Sequence, residues 1–130
     1  MSRRLRTLTL LAAFAVAAGS CSGPVAGELT ISLATPNSDD GAIVVRVTAS
    51  ESKEVTSIAV LCSGCQIFKE QPSATEVRAV VTGNLAAGPL VRIGVSDTKS
   101  PDAYSAQIQQ VASKTYQVRA PSGYSLTVGQ

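Results

Sequence analysis

Histidine and tryptophan are absent from the sequence, and aromatic residues make up only 4% of its 130 residues. Without histidine, the Ser–His and Cys–His pairs that activate the nucleophiles of many hydrolytic enzymes cannot form. The glycine-containing segment GNLAAG does not end in the Lys-Ser or Lys-Thr that a phosphate-binding loop requires, and it opens no recognisable helix. We therefore expect a protein that is not an enzyme and that holds no cofactor.

Long apolar runs are absent except for one short segment near the N terminus. Residues 8–18 are apolar but too few to span a bilayer as a helix. Arg3, Arg4 and Arg6 precede them, and small residues follow. This order is typical of a secretory signal peptide, which we assign to residues 1–20 and expect to be removed after export.

The excess of basic residues over acidic ones belongs to this signal peptide. The full sequence has 11 basic and 9 acidic residues, and three of the basic ones but none of the acidic ones lie in residues 1–20. The processed chain keeps eight basic against nine acidic residues, a net charge of −1. Because nucleic-acid binding needs clustered Lys and Arg residues, we exclude a nucleic-acid partner.

Cysteine is scarce, and the first of the three cysteines follows the apolar run directly. The sequence Ala-Gly-Ser-Cys that ends at Cys21 resembles the lipobox of bacterial lipoproteins, whose invariant cysteine becomes linked to diacylglycerol. The resemblance implies a lipid on Cys21, which anchors the exported protein to a membrane. Ala15 and Ala17 also form an A-x-A site for general signal peptidase, which would give a secreted domain without lipid.

The residues after Cys21 set how far the domain can lie from the membrane. We assign residues 21–27 to the lipidated cysteine and a flexible tether, which reaches about 20 Å when fully extended. Ser22 differs from the Asp that is typical of inner-membrane retention in enteric bacteria. In a cell with two membranes, the resemblance to lipoproteins therefore favours the outer membrane.

The other two cysteines, Cys62 and Cys65, lie on either side of Ser63 and Gly64. A tight turn at these two residues would bring the thiols within disulfide distance, and a lipid on Cys21 would leave the pair to each other. The alternative is the redox pair of a soluble exported thiol-disulfide protein. That chemistry usually places a cysteine at a helix N terminus, whereas the residues after Cys65 form a strand-like run.

Metal sites have weak support in the sequence. Two cysteines without histidine cannot complete the four ligands of a zinc site. Asn37, Asp39 and Asp40 offer oxygen atoms to calcium, with Asp97 or Asp102 as further donors, but their spacing does not match the calcium loop of alternating donors. Because turns require the same residue types, we expect a solvated turn and no metal.

Alternation of apolar and polar residues predicts strands through residues 28–130, which we treat as one domain. Few aromatic residues mean that Val, Ile, Leu and Ala fill most of the core. We expect the large side chains to be those of Phe68, Tyr104, Tyr116 and Tyr124. The predicted strands cover residues 28–34, 42–49, 55–61, 66–70, 76–83, 89–95 and 123–128.

The connection between two of these strands and the secondary structure of residues 101–112 are less direct to predict. Residues 55–61 and 66–70 flank the Ser63 and Gly64 turn, so we expect them to form a hairpin. Residues 101–112 begin with Pro101 and Asp102 and follow Ser100, a good start for a helix, but they also alternate as a strand does. We choose a strand there, because the other segments are short strands separated by turn signals. The result is an all-β protein, an antiparallel sandwich of about seven to nine short strands.

The stretches DDGAIVVRV, GNLAAGPLVRIGV and GYSLTV resemble the strand rhythm of cohesin-type β-sandwich domains. The resemblance implies a jelly-roll or immunoglobulin-like sandwich that binds a partner or acts as a spacer. Together with the lipobox, it indicates a lipid-anchored lipoprotein of the cell envelope that serves as a non-catalytic binding or structural module, with a protein or a glycan as partner. The alternatives are a soluble exported thiol-disulfide protein that uses the C-x-x-C pair and a secreted binding domain without lipid.

Overall fold

The computed structural model describes residues 23–50 and 52–130, and Cys21 lies outside them. Nine strands and one short 3₁₀ helix, η1, make up this part of the chain. The predicted antiparallel β-sandwich is confirmed. The elements are β1 (Gly27–Ala34), β2 (Asp40–Ala49), β3 (Val55–Val60), β4 (Gln66–Ser73), β5 (Glu76–Leu85), β6 (Gly88–Val95), η1 (Pro101–Ala103), β7 (Tyr104–Ser113), β8 (Val118–Arg119) and β9 (Ser125–Gly129).

The strands form two sheets with antiparallel neighbours. The four-stranded sheet has the order β3-β6-β1-β9, and the five-stranded sheet has the order β4-β5-β2-β7-β8. Central strands alternate buried and less buried residues as the sequence predicts, so each sheet turns one face to the other. The core between the sheets consists almost wholly of aliphatic side chains, including Leu29, Ile31, Leu33, Ile43, Val45, Val47, Val77, Val81, Val91 and Ile93.

The expected aromatic core is half right. Tyr104 is 4% exposed, and Tyr124, which precedes β9, packs against the core. Phe68 and Tyr116 were also expected in the core, but 61% and 93% of their surfaces are exposed. Phe68 lies on an edge strand, with Ile67 beside it filling the inward position, and Tyr116 lies in a turn. The expectation was wrong because it used residue size without the direction of each side chain.

The expected hairpin of residues 55–61 and 66–70 is also wrong. β3 pairs with β6 in one sheet, and β4 pairs with β5 in the other, so the turn between them carries the chain across the sandwich. Side chains of β4 nevertheless reach β3, since Lys69 Nζ donates to the Ile58 carbonyl at 3.3 Å and Gln71 Nε2 to the Val55 carbonyl. These contacts cover part of an open strand edge.

The segment that fits both a helix and a strand is a strand for most of its length. Pro101 starts a single turn of 3₁₀ helix, which ends at Ala103, and β7 follows at once. Ser100 provides no side-chain hydrogen bond to cap the turn. The proline signal for a helix start is therefore real, but pairing of β7 with β2 extends the chain beyond it. No helix in residues 23–50 and 52–130 is long and apolar enough to cross a membrane.

The strand directions give the sandwich two distinct ends. We call the end where β1 begins the proximal end, and it also carries residues 96–100 after β6. The opposite end, which we call the distal end, carries the turn of residues 62–65 and the turn between β7 and β8. Ten-residue strands such as β2 separate the two ends by about 33 Å.

Candidate binding surface and the two ends of the sandwich

The chain is fixed to the proximal end before β1 begins. Val25 donates its backbone N–H to Asp97 Oδ1 at 3.2 Å, and its carbonyl accepts from the Thr98 backbone N–H at 2.7 Å. The Thr98 hydroxyl also donates to the Val25 carbonyl, at 3.2 Å. The segment that the sequence assigns to the tether is thus hydrogen-bonded to the domain from Val25 onward.

Asp97 organises the proximal end. The residue is 4% exposed, and its carboxylate accepts hydrogen bonds from Lys53 Nζ at 2.8 Å, the Ser100 hydroxyl at 2.9 Å and the Lys99 backbone N–H at 3.0 Å. Its own backbone N–H donates to Tyr104 Oη at 3.1 Å. The Lys53 ammonium first, and then the hydroxyl and backbone donors, hold the pKa of Asp97 well below its ordinary value.

The distal end is closed by the disulfide predicted between Cys62 and Cys65. Their sulfur atoms lie 2.01 Å apart and their Cα atoms 5.5 Å apart. Both cysteines pack against the core. Gly83 of β5 faces the bridge with φ at 142°, and a Cβ atom there would lie 3.0 Å from Cys65 Sγ. The disulfide therefore packs on the backbone of the sheet that the chain has just entered.

The surroundings of this disulfide differ from those of a redox pair. Residue 66, directly after Cys65, begins β4, and no helix of the described residues starts at either cysteine. The helix N terminus that lowers the pKa of a catalytic thiol is thus missing from this turn. What the geometry provides is a short covalent link where the chain passes between the sheets.

The acidic turn at the distal end forms a hydrogen-bonded network with Arg119 of β8 and with Tyr124, which precedes β9. Arg119 binds Asp39 through two nitrogen atoms, at 2.6 and 2.7 Å, and Asp40 through one, at 2.9 Å. Asp40, which is 1% exposed, also accepts from the hydroxyl groups of Thr35 and Tyr124. The hydrogen bonds with Arg119 lower the pKa of Asp39, and the pKa of Arg119 is raised in return.

The residues that the sequence offered as calcium ligands lie at opposite ends of the sandwich. Asp39 and Asp40 follow the C-terminal end of β1, whereas Asp97 contacts Val25 before its N-terminal end. Among the described residues, no group of three or more Cys, Asp and Glu side chains is placed to hold a metal ion. Arg119, Thr35 and Tyr124 take the oxygen atoms of the two carboxylates instead.

The outer face of the five-stranded sheet, which is turned away from the core, carries a row of apolar side chains. Phe68 lies opposite Val80, and Val80 lies opposite Val44, so the row crosses β4, β5 and β2. Phe68 is exposed, and the two valines are half-buried on a face where polar residues are expected. A shallow concavity of about 360 Å³ covers this row.

Two arginines lie directly beside this apolar row. Arg46 and Arg78 are opposite each other on β2 and β5, two residues along from Val44 and Val80. Like charges in this register repel, and Glu76 bridges both guanidinium groups. The hydrogen bond from Arg46, with its charge, lowers the pKa of Glu76. Glu70 of β4 lies opposite Arg78 on the same face, so the two arginines lie beside two carboxylates. We call Phe68, Val80, Val44, Arg46 and Arg78 the outer patch.

A second concavity of about 310 Å³ continues this face toward the distal end. Its floor holds small residues, including Ala42 of β2 and Ala112 of β7, which are neighbours in the sheet. Tyr116 stands at its rim, 93% exposed, with a backbone φ of 64° that only a minority of residues other than glycine adopt. An exposed tyrosine thus lines the second concavity, which lies distal to the outer patch.

Sequence reasoning did not find the outer patch. Val44 and Val80 each lie in a run of consecutive apolar residues, so their strands are apolar on both faces. These runs are the feature of the sequence that points to an apolar outer surface. The expectation for Phe68 was a place in the core, and alternation within β2 gives Arg46 an outward direction but no partner. Which strands lie side by side decides that these residues meet, and alternation within one strand does not carry that information.

Comparison with protein-family models, with curated proteins and with solved structures returns no match. The resemblance to lipoproteins and to cohesin-type domains therefore stays a prediction from the sequence.

Proposed function

We propose that this protein is a lipid-anchored, exported lipoprotein of the cell envelope that serves as a non-catalytic binding module, with the outer patch as its binding surface. The observation that supports a binding role best is the 61% exposure of Phe68 beside two half-buried valines on an outer sheet face. Soluble domains rarely expose contiguous apolar surface without an interaction to cover it. Aromatic and arginine side chains are also enriched at protein interfaces.

The attachment of Val25 supports an anchored arrangement with a defined orientation. Three residues separate Cys21 from Val25, and they span about 14 Å at most when extended. A lipid on Cys21 therefore holds the proximal end next to the membrane, with Asp97 and Thr98 as the nearest fixed contacts of the chain. The outer patch then lies along the side of the domain, with Arg46 and Arg78 nearer the membrane than Val44 and Val80, and a partner in the envelope reaches it there.

The lipid anchor is tested by mass and by partitioning. Protein isolated from its native membranes should carry a diacylglyceryl or triacyl addition at Cys21 in an intact-mass measurement. It should enter the detergent phase of a detergent–water separation, and the Cys21→Ala variant should stay in the aqueous phase. The double variant Cys62→Ala, Cys65→Ala is the matched control and should partition as the unaltered protein does.

Two outcomes of this experiment contradict the anchor. An unmodified Cys21 in a secreted chain would assign the protein to secreted binding domains without lipid. A Cys21 in a disulfide with Cys62 or Cys65 would contradict both the anchor and the pairing seen at the distal end. A chain in which Cys62 and Cys65 exchange rapidly with a periplasmic thiol oxidant would instead favour the thiol-disulfide alternative.

A further inference from the structure

One side of β7 is unpaired along most of its length. β8, the strand beyond it, has only two residues and pairs with Val111 and Ala112. In the described part of the chain, no strand pairs with residues 104–110 on the side away from β2. The register with β2 makes Gln109 an extra residue, so residues 104–108 form the regular part of this side, which we call the free edge.

Alternation along β7 shows which backbone groups are unpaired. The Ala103 carbonyl accepts from the Ser50 N–H at 2.9 Å, so it points toward β2. Backbone groups alternate between the two sides of an antiparallel strand, so those of Gln107 also point toward β2. The N–H and C=O groups of Ala106 and Ile108 therefore point away from β2 and are available to another strand.

The other outer strands of the two sheets are protected in ways that natural proteins use against unwanted pairing. β4 contains Lys69, Glu70 and Pro72, and two of its side chains donate to carbonyls of β3. β9 has only five residues. β7, in contrast, has ten residues without a charge or a proline. Apart from the bulge at Gln109, nothing in its sequence opposes pairing with a further strand.

The surroundings of the free edge set the chemistry of the strand that fits it. Ala106 and Ile108 lie half-buried next to β9 of the other sheet, where Leu126 and Val128 are half-buried in the same way. A strand added beside β7 would place every second side chain over these four, so those side chains must be apolar. Its remaining side chains lie beside the exposed Gln107 on the outer face, where uncharged polar groups fit.

We propose that the free edge of β7 binds an extended, uncharged segment of a partner protein in which apolar and polar residues alternate. The segment pairs antiparallel with residues 104–108 and bonds to the N–H and C=O groups of Ala106 and Ile108. A second copy does not fit, because antiparallel pairing of two β7 strands would lift one proximal end about 33 Å from the membrane. That exclusion rests on the proposed function, whereas the free edge is separate from the outer patch.

The test is an NMR titration of the isotope-labelled, processed Cys21→Ala chain with the capped peptide Thr-Val-Ser-Val-Ser-Val-Thr. We expect shifts of the backbone amides of Ala106, Gln107 and Ile108, and slower hydrogen exchange at Ala106 and Ile108, whose N–H groups gain acceptors. Methylation of the three valine nitrogens of the peptide should abolish binding, because these N–H groups face β7 in antiparallel pairing. Methylation of the two serine nitrogens should leave the affinity unchanged.

Variants of the protein separate the backbone from the side chain. Ala106→Pro removes an N–H that β2 does not use, so it should fold with a thermal midpoint close to that of the unaltered protein. It should bind the peptide about tenfold more weakly. Ala106→Val keeps the N–H and should bind as the unaltered protein does. Gln107→Pro removes an N–H that points to β2 and should lower the thermal midpoint, which checks the direction of the free edge.

Three results of the titration would overturn the proposal. These are unmoved amides of Ala106 and Ile108 at millimolar peptide, equal binding of the two methylated peptides, and undiminished binding by Ala106→Pro. A dimer of the free chain in sedimentation equilibrium that Ala106→Pro abolishes would also overturn it and assign the free edge to a second copy. None of these outcomes alters the mass or the partitioning of Cys21, so the two proposals fail separately.

Discussion

At the scale of single residues, Tyr116 has a left-handed backbone conformation that is strained for a residue other than glycine. The turn is closed by hydrogen bonds from the Tyr116 N–H to the Ser113 carbonyl at 3.0 Å and from the Ser113 N–H to the Gln117 carbonyl at 2.9 Å. The third loop position of such a turn is left-handed, and glycine is the residue that adopts this conformation without steric strain. Tyr116 occupies it with its ring almost fully in solvent.

Replacing this tyrosine with glycine should therefore stabilise the domain. We expect Tyr116→Gly to raise the free energy of unfolding by about 0.5–1 kcal/mol, the strain removed less the greater freedom of glycine in the unfolded chain. Tyr116→Ala keeps a Cβ atom and should give little or no gain. Urea unfolding of the three proteins measures the difference, and a loss of stability in Tyr116→Gly would show that the ring makes stabilising contacts.

Asp97 gives a prediction about pH. Because its folded-state pKa lies below the ordinary value, its ionised form stabilises the fold above about pH 4. This contribution is lost as the pH falls from about 4 toward the lowered pKa. We expect Asp97→Asn to have a lower urea midpoint than the unaltered protein at pH 7 and a flatter decline in acid. If both proteins lose stability in parallel on acidification, other carboxylates carry the acid dependence.

At the scale of elements, the disulfide lies where one sheet passes to the other. β3 and β4 do not pair with each other, so no ladder of backbone hydrogen bonds holds them together as in a hairpin. The disulfide between Cys62 and Cys65 constrains the connection covalently instead. The chain forms a β-turn there, since the Cys65 N–H donates to the Cys62 carbonyl at 3.4 Å. The bridge fixes the crossing against the backbone of Gly83.

Removing this bridge should cost a modest amount of stability. For a loop of four residues, the chain-entropy relation gives about 2 kcal/mol for the double variant Cys62→Ala, Cys65→Ala. Thermal unfolding should show a lower midpoint, and a reductant should lower the midpoint of the unaltered protein by the same amount. A reductant that also destabilises the double variant would mean that the loss does not come from this disulfide.

Gly83→Ala probes the same crossing from the facing strand. The added methyl would contact the cysteine backbone and sulfur, and the positive φ is unfavourable for alanine, so this variant should be destabilised even with the disulfide intact.

At the scale of the whole molecule, the two ends of the sandwich divide its roles. The proximal end fixes the N-terminal segment through Asp97 and Thr98, and the distal end carries the disulfide and the Arg119 network. The outer patch lies between them on one face of the five-stranded sheet. An anchor at one end and a binding face along the side allow a partner to approach parallel to the membrane plane.

This arrangement predicts a fixed orientation on a bilayer. With lipidated protein in nanodiscs that contain gadolinium-chelating lipids, the amide signals of Lys53 and Ser100 should broaden strongly. Those of Lys114 and Gly64 should broaden little, because the distal end lies about 33 Å further away. The Cys21→Ala variant mixed with the same nanodiscs should show neither effect. Equal broadening at both ends would mean that the domain tumbles freely on its tether.

Alternation along the chain is enough to predict eight of the nine strands, all but β8, and the inward faces of the central ones, and the spacing of Cys62 and Cys65 predicts the bridge. These features are local, because the direction of a side chain in a strand alternates with a period of two residues and a disulfide across two residues needs only a turn. The aliphatic core followed from the same alternation, as Ile43, Val45 and Val47 show.

The packing of the two sheets settles which sheet each strand joins. It separated β3 from β4, turned Phe68 outward, and placed Arg46 beside Arg78. These outcomes depend on contacts between residues far apart in the chain, which are settled by how the two sheets pack together and not by the pattern within one strand. The residues of the outer patch come from β2, β4 and β5, and they meet only because these strands lie side by side in one sheet.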